Sequence, residues 1–180
     1  MTVYGMRTED EIGFDFATFS FANIGETTHR GFEGSVGVTP LRGLRLHTGH
    51  AFTRADFDEA YANLDATIVG NQINNVPKYM TRAGVDYGYE FLNVGARVLN
   101  VRDQFIDEQN TLSLPDYTTL DLYGELGYRD QSFYLKVLNV LDEAHATSGF
   151  VGADAMGAPL PVYFPGGERR VEGGVRIRWR

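Results

Sequence analysis

From Arg170 to Arg180 the chain alternates without a break. Val171, Gly173, Val175, Ile177 and Trp179 fall on one side, and Arg170, Glu172, Gly174, Arg176, Arg178 and Arg180 on the other. A helix would scatter those arginines around its circumference, whereas an extended strand collects them on one face. The same period of two recurs upstream. Tyr117–Tyr128 sets Leu120, Leu122, Gly124, Leu126 and Tyr128 against Thr119, Asp121, Tyr123 and Glu125. Phe91–Val101 sets Leu92, Val94, Ala96 and Val98 against Asn93, Gly95 and Arg97. Tyr79–Tyr87 sets Tyr79, Thr81, Ala83, Val85 and Tyr87 against Met80, Arg82, Gly84 and Asp86. Further strands are predicted at Arg30–Val38, continuing a run from near Phe19, at Leu44–Arg54 and at Phe133–Leu141. With a first strand near Thr2–Ile12 and a last one at Arg170–Arg180, the expectation is an all-β antiparallel meander of about eight strands.

The connections separate into two kinds. Thr39–Gly43, Gly88–Glu90 and Arg129–Gln131 are tight turns, while Ala55–Val76, Arg102–Pro115 and Asp142–Gly167 are long and polar. The two kinds alternate, so one end of the array is short-looped and the other long-looped, as in transmembrane barrels with short periplasmic turns and long extracellular loops. Alternation alone suits a soluble sandwich equally well, with the apolar face packed inward. The aromatic positions favour a membrane: Tyr79 and Tyr87 bracket one strand on the apolar face, Tyr128 closes another and Trp179 ends the last. Rings at strand ends are what an interfacial girdle needs, and each strand supplies roughly the 9–11 residues that cross hydrocarbon at a tilt. The opposite face would then look into a barrel lumen, with Glu33, Arg82, Asp86, Arg97, Asp121, Tyr123, Glu125, Lys136, Arg170, Glu172, Arg176 and Arg178 as candidate lumen residues. The competing architecture is a self-contained small eight-stranded barrel, or a soluble β-barrel that holds a ligand inside.

Composition narrows the function. Apolar residues are 43%, aromatics 13%, and 21 glycines stand against 6 prolines, a mixture that suits strands and turns. The net charge of -8 disfavours nucleic acid, which needs a basic patch. Cysteine is absent, so there is neither a disulfide framework nor a thiolate metal site. Met1–Arg7 carries no basic and apolar leader pattern, so no signal peptide is expected. No nucleophile is paired with a base, and no enzyme is expected. His47 and His50 point to opposite faces of a strand and His29 and His145 lie far away, which leaves no expected metal site or cofactor. The acidic run Asp56, Asp58 and Glu59 lacks the glycine and closing glutamate of a calcium loop. Arg169 and Arg170 read as snorkelling residues at the start of the last strand.

Several short motifs then fall in one order. Phe21-Ala22-Asn23-Ile24-Gly25 is followed by Arg30-Gly31-Phe32-Glu33, by Pro40 and Gly43-Leu44, and by Ala51-Phe52-Thr53. After these come Asn75-Val76-Pro77 with Tyr79, Leu114-Pro115-Asp116-Tyr117-Thr118-Thr119-Leu120-Asp121, and Val137-Leu138-Asn139-Val140-Leu141-Asp142. Pro165-Gly166 and the Val171–Trp179 strand close the series. This order resembles the C-terminal barrel region of TonB-dependent outer-membrane receptors, and the resemblance covers nearly the whole chain. It implies that residues 1–180 are the C-terminal part of such a barrel in a Gram-negative outer membrane. The implied role is active uptake of a ferric siderophore or a similar bulky nutrient. The implied partners are outer-membrane lipid and the barrel assembly machinery, with TonB reached only through a plug. The family's plug and energy-coupling box have no counterpart here, and its barrels have about 22 strands. The chain is therefore expected to be a gene fragment or truncated product that cannot transport alone, with Met1 falling inside a strand. It also ends Trp179-Arg180 where the family generally ends in an aromatic residue.

Overall fold

The computed structural model describes residues 1–15, 20–59 and 66–178. Twelve strands are present among them. They are β1 (Thr2–Asp15), β2 (Ser20–Leu41), β3 (Leu44–Glu59), β4 (Tyr79–Tyr89), β5 (Leu92–Arg102), β6 (Gln104–Phe105), β7 (Ser113–Leu114), β8 (Tyr117–Tyr128), β9 (Gln131–Leu138), β10 (Ala146–Ala153), β11 (Pro159–Pro165) and β12 (Arg170–Ile177). Eight of them form one antiparallel sheet in the order β1-β2-β3-β4-β5-β8-β9-β12, while β6 with β7 and β10 with β11 form two small hairpins. The fold is all-β and the sheet is a partial barrel. It is not closed on itself, because β1 and β12 are its two edges.

Register makes each face continuous. Val38, Leu46, Val85, Ala96, Leu122, Val137 and Val171 are successive cross-strand partners, so one row of side chains crosses seven strands without a charge. The neighbouring row, offset by one residue, runs His47, Gly84, Arg97, Asp121. The period of two in the sequence therefore becomes two chemically distinct surfaces. The tight turns that hold this register use left-handed backbone at Gly43, Glu90 and Arg129. At Gly43 an added methyl would also run into the Gly88 carbonyl, so the turn requires glycine.

The first strand departs from expectation. Expected near Thr2–Ile12, β1 continues to Asp15, because Arg7–Asp15 pairs with Ser20–Thr28 of β2. A bulge at Glu9 and Asp10, opposite Glu26 and next to the Glu11–Gly25 pair, lets the ribbon bend. Asn23 holds it by accepting from Gly25 N–H (3.0 Å) and donating to Asp10 (2.9 Å).

Burial is inverted relative to a soluble sheet protein. The aliphatic face is open: Val3 is 73%, Val36 60% and Val175 54% exposed, and no second sheet covers it among the described residues. A soluble sandwich would bury those residues. The dry core lies instead among the long connections, where Ala55 and Phe57 at the end of β3 pack against Ile68, Ile73 and Val76. Ile106 and Leu114 are buried in the next connection. Phe57→Ala should therefore cost about 3–5 kcal/mol locally. Hydrogen exchange should show loss of protection in 68–76 with β4, β5 and β8 unchanged; uniform loss across the sheet would contradict this division.

Candidate functional site

The charged face of the sheet is built from rings laid over glycines. Tyr4 covers Gly31, His47 covers Gly84, Tyr123 covers Gly95 and Tyr134 covers Gly174, and each ring belongs to the direct cross-strand partner of its glycine. The missing side chain opens a slot on the pleat, the ring lies down in it, and its polar tip slides sideways toward the next strand.

Two ionic clusters follow from this. The Tyr123 hydroxyl donates to Asp86, Arg97 lies 3.7 Å from the same carboxylate, and the guanidinium sits 5.2 Å from the Tyr123 ring centroid. His47 Nδ1 is 3.3 Å from Asp86 but not in hydrogen-bonding geometry, and it is otherwise a buried nitrogen without a partner. In the second cluster Arg176 donates to both oxygens of Glu125 (3.2 and 3.1 Å) while lying over Tyr134 at 5.1 Å. Lys136 is the cross-strand partner of both Tyr123 and Glu172, and Arg170 pairs with Glu172 at 2.8 Å. Glu33 and Arg82 line a concavity of about 480 Å³ near the β1 edge. Arg178 lines an open cleft beside Glu125 and Arg176. The twelve charged-face candidates thus share one side of the sheet but divide into separate groups.

Asp121 acts differently. It accepts the Asn139 N–H (2.8 Å) at the top of β9, where Asn139 adopts left-handed backbone. The Asn139 side chain donates to the Glu143 and Gly167 carbonyls (both 3.0 Å) and accepts the Glu143 N–H (3.1 Å). Both ends of the connection carrying β10 and β11 are therefore tied to one buried amide. Arg169 and Asp142, 3.1 Å apart, add an exposed clasp.

Under that connection lie two clefts that share His145. One of about 410 Å³ is lined by Pro115, Asp116, Tyr117, Glu143 and Tyr163, and one of about 540 Å³ by Thr119, Asp121, Asn139 and Arg170. His145 stacks on Tyr117 with centroids 4.3 Å apart and donates from Nδ1 to the Glu143 carbonyl (2.9 Å). No cluster of metal-ligating side chains is found among the described residues.

The long connections are sewn together. Asn75 exchanges two hydrogen bonds with the Gly149 backbone (both 2.9 Å), and Asn110 does the same with Gln72 (2.7 and 2.8 Å). Gln104 reaches the Thr147 carbonyl at 3.0 Å. The roles of His47, Tyr134 and these amides are not announced by the residues around them in the sequence. A glycine facing a ring across the sheet would have revealed the first two, once the register was known.

Of the aromatic candidates, Tyr87 and Tyr128 are exposed on the apolar face at the short-turn end. Tyr79 is half-buried at the other end against Phe52, with centroids 5.4 Å apart. Trp179 lies outside the described residues. Asn139→Ala is expected to leave the Glu143 and Gly167 carbonyls without their donor and loosen the connection. Limited proteolysis should then cut within 143–168 at least tenfold faster, and an unchanged rate would remove Asn139 from this role.

The family model described as TonB dependent receptor-like, beta-barrel, matches residues 1–140. The siderophore receptor PiuA from Acinetobacter baumannii superposes with a TM-score of 0.75 at 18% identity, covering 97% of this chain and 25% of that one. The ferric yersiniabactin uptake receptor FyuA from Yersinia pestis gives 0.79 at 19% identity, with 97% and 26% covered. The ferric preacinetobactin receptor BauA from A. baumannii gives 0.71 at 19%, with 96% and 26% covered. The chain spans about a quarter of the length of these receptors. A search of curated proteins finds no significant match.

Proposed function

Because the chain belongs to the TonB-dependent receptor β-barrel family, we propose that it forms part of the wall of an outer-membrane receptor for active uptake of a ferric siderophore or similar bulky chelate. The observation that carries this is the pair of opposed faces: an open aliphatic surface bounded by Tyr79 at one end and Tyr87 and Tyr128 at the other, backed by an ionised surface. The aliphatic face meets lipid and the ionised face meets the lumen, with Glu33, Arg82, Asp86, Arg97, Tyr123, Glu125, Lys136, Arg170, Glu172, Arg176 and Arg178 lining it. Asp121 shapes the rim. Unpaired backbone at the β1 and β12 edges costs several kcal/mol per group in hydrocarbon, so further strands must complete the wall. The plug, with its contact to TonB, belongs to the complete receptor, as does recognition by the assembly machinery. The cargo class rests on the ligands named for PiuA, FyuA and BauA, which share this fold. The aromatic cleft around His145, Tyr117 and Tyr163 suits the rings and polar rim of a chelate.

The absence of natural cysteine allows a direct test. Single cysteines at Val98, Leu122 and Leu135 should react with a lipid-soluble maleimide and resist a charged one, and cysteines at Arg97, Asp121 and Lys136 should behave in reverse. The opposite pattern would refute the membrane reading. Leu122→Arg should destabilise the inserted state by about 2–4 kcal/mol, as an arginine at mid-membrane does. In cells carrying the complete receptor, removal of 146–165 should lower radio-iron siderophore uptake at least tenfold at an unchanged receptor level. Undiminished uptake would exclude this connection from cargo recognition.

A further inference from the structure

The cleft of about 410 Å³ beside the last long connection brings aromatic rings and carboxylates together, and no lysine or arginine lines it. Tyr117, His145 and Tyr163 supply the rings, Pro115 with Pro165 an apolar wall, and Asp116 and Glu143 the carboxylates. Tyr117 and His145 are stacked on each other with centroids 4.3 Å apart, so this part of the wall is set before any guest arrives. Tyr163, on β11, remains 47% exposed.

The two carboxylates are open to a guest. Glu143 fastens the connection with its backbone, donating its N–H to Asn139 (3.1 Å) and accepting from His145 at its carbonyl (2.9 Å). Asp116 offers one oxygen to the Asp103 N–H at 3.1 Å. Among the described residues neither carboxylate forms an ion pair. The nearby arginines belong to the neighbouring cleft and are turned to other acids, Arg169 to Asp142 (3.1 Å) and Arg170 to Glu172 (2.8 Å). The sequence around the cleft has the same sign: residues 103–116 and residues 142–168 carry four carboxylates each and no lysine or arginine. A concave site walled by π faces and carboxylates, under a rim of one charge sign, concentrates cations. An anionic guest would meet Asp116 and Glu143 with no cation to offset them.

We propose that this cleft binds a cationic organic group, an ammonium or a guanidinium, against the Tyr117 and Tyr163 rings and the Asp116 and Glu143 carboxylates. The chelate recognised by this connection is then one that presents a positive charge. The inference rests on the transport reading and narrows its cargo, and the two are separable. A complete receptor that carries no iron chelate into cells yet prefers a cation in this cleft loses the transport reading and keeps the site. Uptake without any such preference removes the site alone.

The test uses the complete receptor in detergent with two probes that share a ring, benzyltrimethylammonium and the uncharged benzyl alcohol, titrated by ligand-observed NMR. The wild-type receptor should bind the cation about tenfold more tightly than the alcohol. Asp116→Asn combined with Glu143→Gln should weaken the cation about tenfold and leave benzyl alcohol unchanged. Tyr163→Leu should weaken the cation about threefold, whereas Tyr163→Phe, which keeps the ring face, should not. Asp154→Asn, on the same connection but outside the cleft, should change nothing. Equal binding of the two probes or an unaffected double variant would overturn the proposal. So would an equal loss with Asp154→Asn, which would mark a diffuse field rather than a cleft. Should the double variant fail to insert, the Tyr163 pair decides: two substitutions without effect, or two that weaken the cation equally, overturn the proposal.

Discussion

Among the described residues the span of the sheet between its turns and its long connections has no hydrophobic core of its own, and the rest of the structure follows from that. One face is aliphatic and open, the other ionised and paired, so neither can pack against a second layer of the same chain without burying charge or stranding apolar area. Strand length, turn placement and the aromatic boundaries are consistent with a medium that is apolar over one band and aqueous beyond it. Within that band the strands between β1 and β12 are hydrogen-bonded on both sides, as hydrocarbon demands of any backbone that enters it, and only the outer edges of β1 and β12 are open.

Beyond the band the chemistry reverts to that of a soluble protein. Ala55, Phe57, Ile68 and Ile73 form a small dry core, and the connections around it are joined by side-chain amides that imitate β-bridges. Such a layer needs to be stiff, because long loops left free would pay heavily in conformational entropy to present a defined surface. Asn139 and Asp121 couple it to the sheet: the amide that ends β9 also fixes both ends of the connection bearing β10 and β11.

The strands were legible in the sequence because a period of two is a local signal and each face shows its chemistry directly. Family membership was legible too, because ordered short motifs such as Leu114–Asp121 and Val137–Asp142 lie at strand ends where the local backbone restricts the choice of residue. The first strand runs past the expected Ile12 to Asp15 because residues 13–15 pair with residues 20–22, a pairing that no local pattern announces. The loop layer was not legible at all. Asn75 and Gly149 are 74 residues apart, and nothing near Asn75 announces the pairing. The polar loop residues Asn75, Gln72, Gln104 and Asn110 are occupied with one another and with backbone. What remains for recognition is the more aromatic surface around Tyr117, His145 and Tyr163.

The ring-over-glycine pairs explain how one face can be densely ionic without flying apart. Charges placed directly opposite each other on a flat sheet would have side chains free to extend into solvent, and exposed pairs of that kind contribute little. Here Tyr123 and Tyr134 lie flat because Gly95 and Gly174 leave room, and each ring supplies a floor for a guanidinium, Arg97 and Arg176 respectively. The cation is then held by a ring beneath and a carboxylate beside it, Asp86 in one case and Glu125 in the other. Adding a methyl at Gly95 would lift the Tyr123 ring and, with it, the hydroxyl that reaches Asp86. Glycine, ring, arginine and carboxylate therefore act as one unit, and the small residue matters to the charge network although it carries no charge itself.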